Sequence, residues 1–367
     1  MRNSVTIAAL AAAVAMTIGV TVMVFSFRKT VEAWVNGTLV ADLFVAPASN
    51  EVTGATSFMP QEAIQFFERQ PDIASVDTFR QIELPWRGDT ISIAVIRGVP
   101  QRQLQFVRGD AAAMMQRFRS EQCALVSESF TRRHHVRDGD VLDLPTPSGR
   151  QPFPIAGTFY DYTRDQGVVY LSERNFLRFW NDNRVNSVAV YLKAGASAEK
   201  LSAAFRRRFS GAGEFVILSN HALRTRIFEI FDQTFAVTYV LRTIAVVVAL
   251  VGIFLSLTTL IIERGRELAV LRAIGASAGQ VRRLLLWEAI LIGVLASLVG
   301  IASGLCLSTV LTGVINRAFF GWTIRLAFPW SSLLLTPAWI VAAAAAAAII
   351  PAWRATRLSL AEWLRTE

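Results

Sequence analysis

Residues 262–279 run I-E-R-G-R-E-L-A-V-L-R-A-I-G-A-S-A-G between two long apolar stretches, and the layout of the whole chain turns on them. Arg264, Arg266, Glu267 and Arg272 are interleaved with Leu268, Ala269, Val270, Leu271 and Ile274. In a helix this pattern gives one apolar stripe and one charged side. Gly275 follows the last periodic residue, where a helix can stop in the left-handed conformation. The expectation is a short amphipathic helix at the membrane surface, held between two spanning helices. Such a helix could take a push from a soluble partner and pass it to both spans. The same residues also read as an ordinary basic cytoplasmic loop, since arginine-rich short loops follow from the positive-inside rule.

The two flanking stretches belong to a strongly apolar chain. Its 367 residues are 53% hydrophobic and 18% charged, which is unusual for a water-soluble protein of this size. Four runs are long enough to cross a bilayer: 5–27, 235–262, about 284–314 and about 331–350. The first run reads as a retained span rather than a signal peptide, because it is long and has no small-x-small cleavage site before Arg28. Arg242 and Glu288 lie near span ends, close enough to reach the interface. Arginines set the orientation. Arg264, Arg266, Arg272, Arg282 and Arg283 follow the second span and Arg354, Arg357 and Arg365 follow the fourth, whereas the loop after the third span has Arg317 and Arg325. The richer loops are placed in the cytoplasm.

The expected fold is therefore a membrane protein with four transmembrane α-helices and a large α+β extracytoplasmic domain inserted between the first and second. In order, the segments are a first span (1–27), stalks and outer domain (28–234), a second span (235–262), a cytoplasmic coupling loop (263–283), a third span (284–314), a short outer loop (315–330), a fourth span (331–350) and a cytoplasmic tail (351–367). Residues 41–226 are polar and broken by prolines and glycines, as a folded domain would be. Strands are expected at 43–46, 75–84, 91–99, 124–129, 141–144, 153–159, 168–171, 187–192 and 215–218. Helices are expected at 61–70, 130–134, 176–180 and 198–209. That order suggests an α+β domain of two lobes. Residues 28–39 and 221–232 read as stalk helices, the second with Leu223, Ile227 and Phe231 spaced by four.

Gly293, Ser297, Gly300 and Gly304 in the third span fall on one helix face, where small residues let another helix approach closely. Helix packing explains them better than a pore does.

Several chemistries are excluded or weakly supported. The three lysines, Lys29, Lys193 and Lys200, form no phosphate-binding G-x-x-x-x-G-K-[ST] loop. His134, His135 and His221 form no H-E-x-x-H, and neighbours in sequence do not share a helix face, so a metal site is not expected. Cys123 and Cys306 lie in different parts of the chain, and no internal disulfide is expected. Asp138 and Asp140 flank Gly139 as turn residues. The net charge of +9 comes largely from the arginines beside the spans, so no nucleic-acid partner is implied. No cofactor and no catalytic residues are expected.

The run 263–275, E-R-G-R-E-L-A-V-L-R-A-I-G, resembles the hallmark of the FtsX-like permease domain of MacB/LolC-type ABC transporter permeases. The likeness continues through Val281-Arg282-Arg283-Leu284, Glu288 and the glycines of the third span. It ends in Pro351-Ala352-Trp353-Arg354-Ala355 and Ala361-Glu362-Trp363-Leu364-Arg365. The outer domain resembles the family's periplasmic core domain through Ala41-Asp42-Leu43-Phe44-Val45, Leu125-Val126-Ser127-Glu128-Ser129 and Arg137-Asp138-Gly139-Asp140.

The resemblance implies a permease subunit in the bacterial inner membrane whose ATPase is a separate polypeptide. By matched position the coupling helix is 264–275, with Arg264, Arg266, Glu267, Leu268, Leu271, Arg272, Ile274 and Gly275 as the residues that meet the ATPase. It also implies a second permease copy or half, and a periplasmic adaptor or substrate protein as a possible partner beside the lipid bilayer. Two functions fit: export or lipid and lipoprotein handling, or a regulatory scaffold that switches a periplasmic enzyme without transport. The chain departs from the family in having almost nothing before its first span, which suggests the second half of a longer protein. The alanine run 342–348 is less bulky than usual for a fourth span, but it is apolar and helix-forming.

Overall fold

The computed structural model describes residues 2–50, 56–210 and 214–357. The run 361–365 lies outside the described residues. Among the described residues, four helices are long and apolar enough to cross a membrane. The chain forms two compact units: one of residues 1–29, 231–315 and 324–367, and one of residues 30–230 and 316–323.

The first unit is helical. Helix α1 (Arg2–Thr38) carries the first apolar run. Its Leu10, Val14, Ile18 and Val22 are buried against Ala289, Ile292 and Ala296 of α9 (Ala278–Val310) and Ile340, Ala344 and Ala348 of α11 (Trp330–Arg357). The alanines of the fourth apolar run therefore serve as a small-residue contact surface. Helix α7 (Asn220–Glu263) is one continuous helix of 44 residues, where a stalk and a span were expected as separate elements. No proline interrupts it and its first glycine is Gly252, so the backbone ladder runs on unbroken. Its Phe231 stacks on Phe27 of α1 and Phe235 meets the same ring at a tilt of 56°, and Arg28 pairs with Asp232 at 2.8 Å.

Two other helix ends differ from expectation. Helix α9 begins at Ala278, ahead of the start expected near residue 284 for the third span, because Ser277 and Gln280 form a reciprocal capping box. It passes through a π-helical stretch, Leu311–Ile315, into the short α10 (Asn316–Phe320). Helix α11 continues through Pro351 to Arg357 rather than ending at residue 350.

The second unit is built on a nine-stranded mixed sheet in the order β5-β6-β4-β7-β3-β2-β8-β1-β9. Its strands are β1 (Leu43–Pro47), β2 (Ile73–Trp86), β3 (Asp89–Ile96), β4 (Ala124–Ser127), β5 (Val141–Thr146), β6 (Gly149–Phe159), β7 (Val169–Ser172), β8 (Ser187–Leu192) and β9 (Phe215–Ser219). Strands β2 and β3 form a hairpin that pairs Trp86 with Asp89. Its turn residues Arg87 and Gly88 both have positive φ (49° and 81°), matching the twist of the strands. Strands β3–β7 and β4–β6 run parallel. At the other edge β1 lies between β8 and β9, antiparallel to both.

One sheet thus carries what the sequence suggested as two lobes, and the division lies in its cores. Helices α2 (Gln61–Glu68) and α6 (Ala198–Arg208) cover β1, β2 and β8 through Phe67, Leu201 and Phe205. Helices α4 (Glu128–His134) and α5 (Glu173–Trp180) cover the other half through Phe130 and Phe176. In β3, Ile93 and Val95 join that core while Ala94 and Ile96 enter another, beneath Met115 and Phe118 of α3 (Ala111–Ser120). Burial on both faces explains why β3, β4 and β7 read as continuous apolar runs. Helix α3 was not expected: of its residues only Met115 and Phe118 are buried, too few for an apolar stripe. Its one sequence signal is Asp110, whose carboxylate caps the Ala112 amide at 3.0 Å.

Asp77 is fully buried beside Arg102, accepting from the Arg102 guanidinium and from the Gly98 amide. Burial pushes the Cys123 thiol up to about 11, so it is a packing residue rather than a nucleophile. Replacing Arg102 by Met should strand the Asp77 carboxylate and cost about 3–5 kcal/mol, whereas replacing both partners with apolar residues should cost less. Chemical unfolding of the full chain in detergent, followed through tryptophan fluorescence, checks both outcomes.

Candidate functional site

The stretch 262–279 contains a separate short helix, α8 (Gly265–Ala273), between α7 and α9. Arg264 occupies its N-cap without a side-chain cap bond, and Ile274 its C-cap. Gly275 follows with φ of 107°, a conformation strained for any residue with a Cβ, and the Ala276 amide returns to the Leu271 carbonyl at 3.0 Å. This fixes the sharp break before Ser277 starts α9.

The helix has two unlike faces. Leu268 packs inward against Ile261, Val281, Leu285 and Ala352. Glu267, Val270, Leu271 and Ile274 recur at three- and four-residue spacing beside it and are exposed, Ile274 at 77%. Arg264 is exposed and lies 3.7 Å from Glu288 of α9. Arg272 is half-buried, and Arg266 is within the helix. Arg282 stands 5.7 Å from the ring centre of Trp353, linking the start of α9 to α11. This surface combines exposed aliphatic side chains with a carboxylate and an arginine at its margins. It suits a protein contact, and it holds no nucleophile–base pair.

Gly293, Ser297, Gly300 and Gly304 of α9 are all buried. An added Cβ at Gly300 would fall 2.5 Å from the Val14 Cβ, and one at Gly304 would fall 2.8 Å from the Ala15 carbonyl oxygen. Both glycines therefore bring the backbone of α9 onto α1. Gly293 faces α11 instead, where an added Cβ would lie 3.4 Å from Ala344. The stripe expected to serve one contact thus serves two, because α1 and α11 cross α9 at different heights. Ser297 is buried at the edge of an apolar groove of about 540 Å³ that also involves Val294, Leu298, Pro337 and Val341.

The outer domain has a smaller cleft, of about 240 Å³, between α2 and α5. Arg97 bridges its two sides, reaching Glu68 at 3.0 Å and Glu173 at 2.9 Å. Arg80 and Arg184 both lie 4.6 Å from the ring centre of Phe58 and both pair with Asp182. Hydrogen bonds from Arg184 hold the Asp182 carboxyl down at about 2. The charges of the cleft are thus used up in pairs. None of this was legible in sequence, because partners such as Arg80 and Asp182 are 102 residues apart. Among the described residues no group of His, Cys, Asp and Glu could hold a metal ion. Asp138 and Asp140 make turn contacts, to Thr158 and to the Arg137 amide.

Comparison with known proteins places both halves of the chain. Residues 4–208 match the MacB-like periplasmic core domain, and residues 239–360 match the FtsX-like permease C-terminal domain. Over its full length the chain is 31% identical to an uncharacterised ABC transporter permease protein of Mycobacterium tuberculosis, of which it covers 44%. Over 65% of its length it is 25% identical to the macrolide export ATP-binding/permease protein MacB 1/2 of Paracoccus denitrificans, covering 38% of that protein. It therefore spans less than half the length of either relative. Among solved structures, the periplasmic region of MacB from Actinobacillus actinomycetemcomitans aligns with 53% of this chain and 95% of its own length, at 13% identity and a TM-score of 0.38.

The glycine contacts differ in how much room they leave. Gly300→Val should destabilise the helical unit by about 1–3 kcal/mol through overpacking, whereas Gly293→Ala should be nearly neutral. Thermal unfolding of both variants in detergent, monitored by size-exclusion profile, measures the contrast.

Proposed function

The chain belongs to the ABC transporter permeases built from a MacB-like periplasmic core domain and an FtsX-like permease domain, and from that premise we propose that it transmits the work of a cytoplasmic ATPase to its outer domain. The observation that carries this is the exposed Val270–Leu271–Ile274 face of α8, three aliphatic side chains presented on a short helix between two apolar ones. Uncovered aliphatic surface of this kind favours a protein partner. An ATP-binding subunit is the partner that the family supplies. Arg264, Arg266, Glu267 and Arg272 orient the contact and Leu271 and Ile274 fill it, while Leu268 anchors the helix from behind.

Movement at α8 then passes into α7 and α9, its immediate neighbours in the chain. Helix α7 leads without interruption into the outer domain. Closing of the ATPase is read out there as displacement of the domain, used for export or for lipid and lipoprotein handling. The chain sits in the bacterial inner membrane and works with a second permease copy or half. Val237, Val240, Leu241, Ile244, Val247, Val248 and Val251 of α7 are exposed, which supports a lipid or partner-helix environment for this span.

Affinity purification of the chain in mild detergent should bring down a nucleotide-binding ATPase in near-equal amounts. Leu271→Asp or Ile274→Asp should reduce its recovery by at least about tenfold, since an unpaired charge in an apolar contact costs several kcal/mol. Full recovery with both variants would rule out α8 as the docking helix. Recovery of a cell-wall enzyme in place of an ATPase would favour a scaffold without transport.

A further inference from the structure

The segment Asn316–Thr323, which joins the third and fourth apolar helices, forms part of the same compact unit as the outer domain. It is folded onto itself. The Asn316 side chain donates to the Trp322 carbonyl at 3.0 Å, and the Gly321 amide donates to the Arg317 carbonyl at 3.2 Å, with Gly321 at φ of 68°. Every polar group of Thr323 is then bonded to the domain. Its amide donates to one Glu128 carboxylate oxygen at 3.0 Å, its hydroxyl to the other at 2.5 Å, and its carbonyl accepts from the Tyr162 hydroxyl at 2.9 Å.

Glu128 is built to receive this segment. It is 6% exposed, occupies the first turn of α4, and is held by Arg132 at 2.6 Å. With the segment removed, the carboxylate would keep Arg132 but lose two donors in a buried setting, a costly arrangement. Shape adds to the fit. A Cβ at Gly321 would lie 3.1 Å from the Cα of Ser129, so the backbones of the segment and α4 are in direct contact. The Trp322 ring meets Tyr162 edge-on at 5.8 Å, and Tyr162 meets Trp34 of α1 in the same manner at 5.9 Å.

We propose that Glu128 is a positioning residue that seats the segment joining the third and fourth membrane helices on the outer domain, giving a third line of transmission beside α1 and α7. This rests on the transmission function proposed above. Displacement of α9 or α11 then reaches α4 through Thr323, whose three polar groups are held by Glu128 and Tyr162, and through the backbone contact of Gly321 with Ser129.

The test uses the full chain with its ATPase in lipid nanodiscs, with amide exchange read with and without ATP. In the unsubstituted chain the Thr323 amide should be protected, and ATP should alter exchange in both 321–324 and 128–134. Glu128→Gln, which presents an amide donor to the Thr323 amide, should speed exchange at Thr323 by about tenfold or more. It should also abolish the ATP-dependent change in 128–134, with ATPase recovery and turnover retained. Thr323→Val tests the seat from the segment side, where folding of the domain is not at stake, and Thr323→Ser should restore the response. A full ATP response at 128–134 in Glu128→Gln and Thr323→Val would overturn the seat while leaving the transmission function standing. Absence of any ATPase or ATP response in the unsubstituted chain would overturn both.

Discussion

The outer domain depends on how its two ends are closed. Strand β1 follows α1 and β9 precedes α7, and the two strands pair antiparallel from Leu43–Ser219 to Pro47–Phe215. The Asn220 side chain completes the closure, donating to the carbonyls of Leu39 and Ala41 at 2.7 Å each. Arg224 adds bonds to Asn36 and to the Leu39 carbonyl. The chain therefore leaves and re-enters its helices side by side. With the ends fixed this way, a sheet of nine strands can be inserted between two long helices without forcing them apart.

The same closure explains the division of labour among charges. In the helical unit, Arg264 with Glu288 and Arg282 with Trp353 tie neighbouring helices at one end. Within the domain, by contrast, charges are paired across long sequence separations, as in Asp77 with Arg102 or Arg97 with Glu68 and Glu173. The Asp77–Arg102 pair is buried, whereas Arg97 with Glu68 and Glu173 stays partly exposed and bridges α2 to α5.

Much of this layout was legible in the residues. The apolar runs announced the four long helices, and the segments 75–84 and 91–99 announced strands β2 and β3. The break at Gly275 was readable because a glycine at positive φ is what a sharp helix end requires. What escaped was everything set by distant partners. Helix α3 buries two side chains, too few to mark a period. Gly293 and Gly300 lie on one stripe, yet nothing local reveals that they meet different helices. Glu128 looked like part of a strand-to-helix segment, and its contact with Thr323 spans 195 residues. Periodicity reports which face of an element is buried, and is silent on what buries it.

The glycines of α9 have a mechanical consequence. At Gly300 and Gly304 the helix meets α1 backbone to side-chain base, with no long side chain between them. Contacts between long side chains can absorb small shifts by changing rotamer, and this one cannot. The pair α1–α9 is thus a stiff strut.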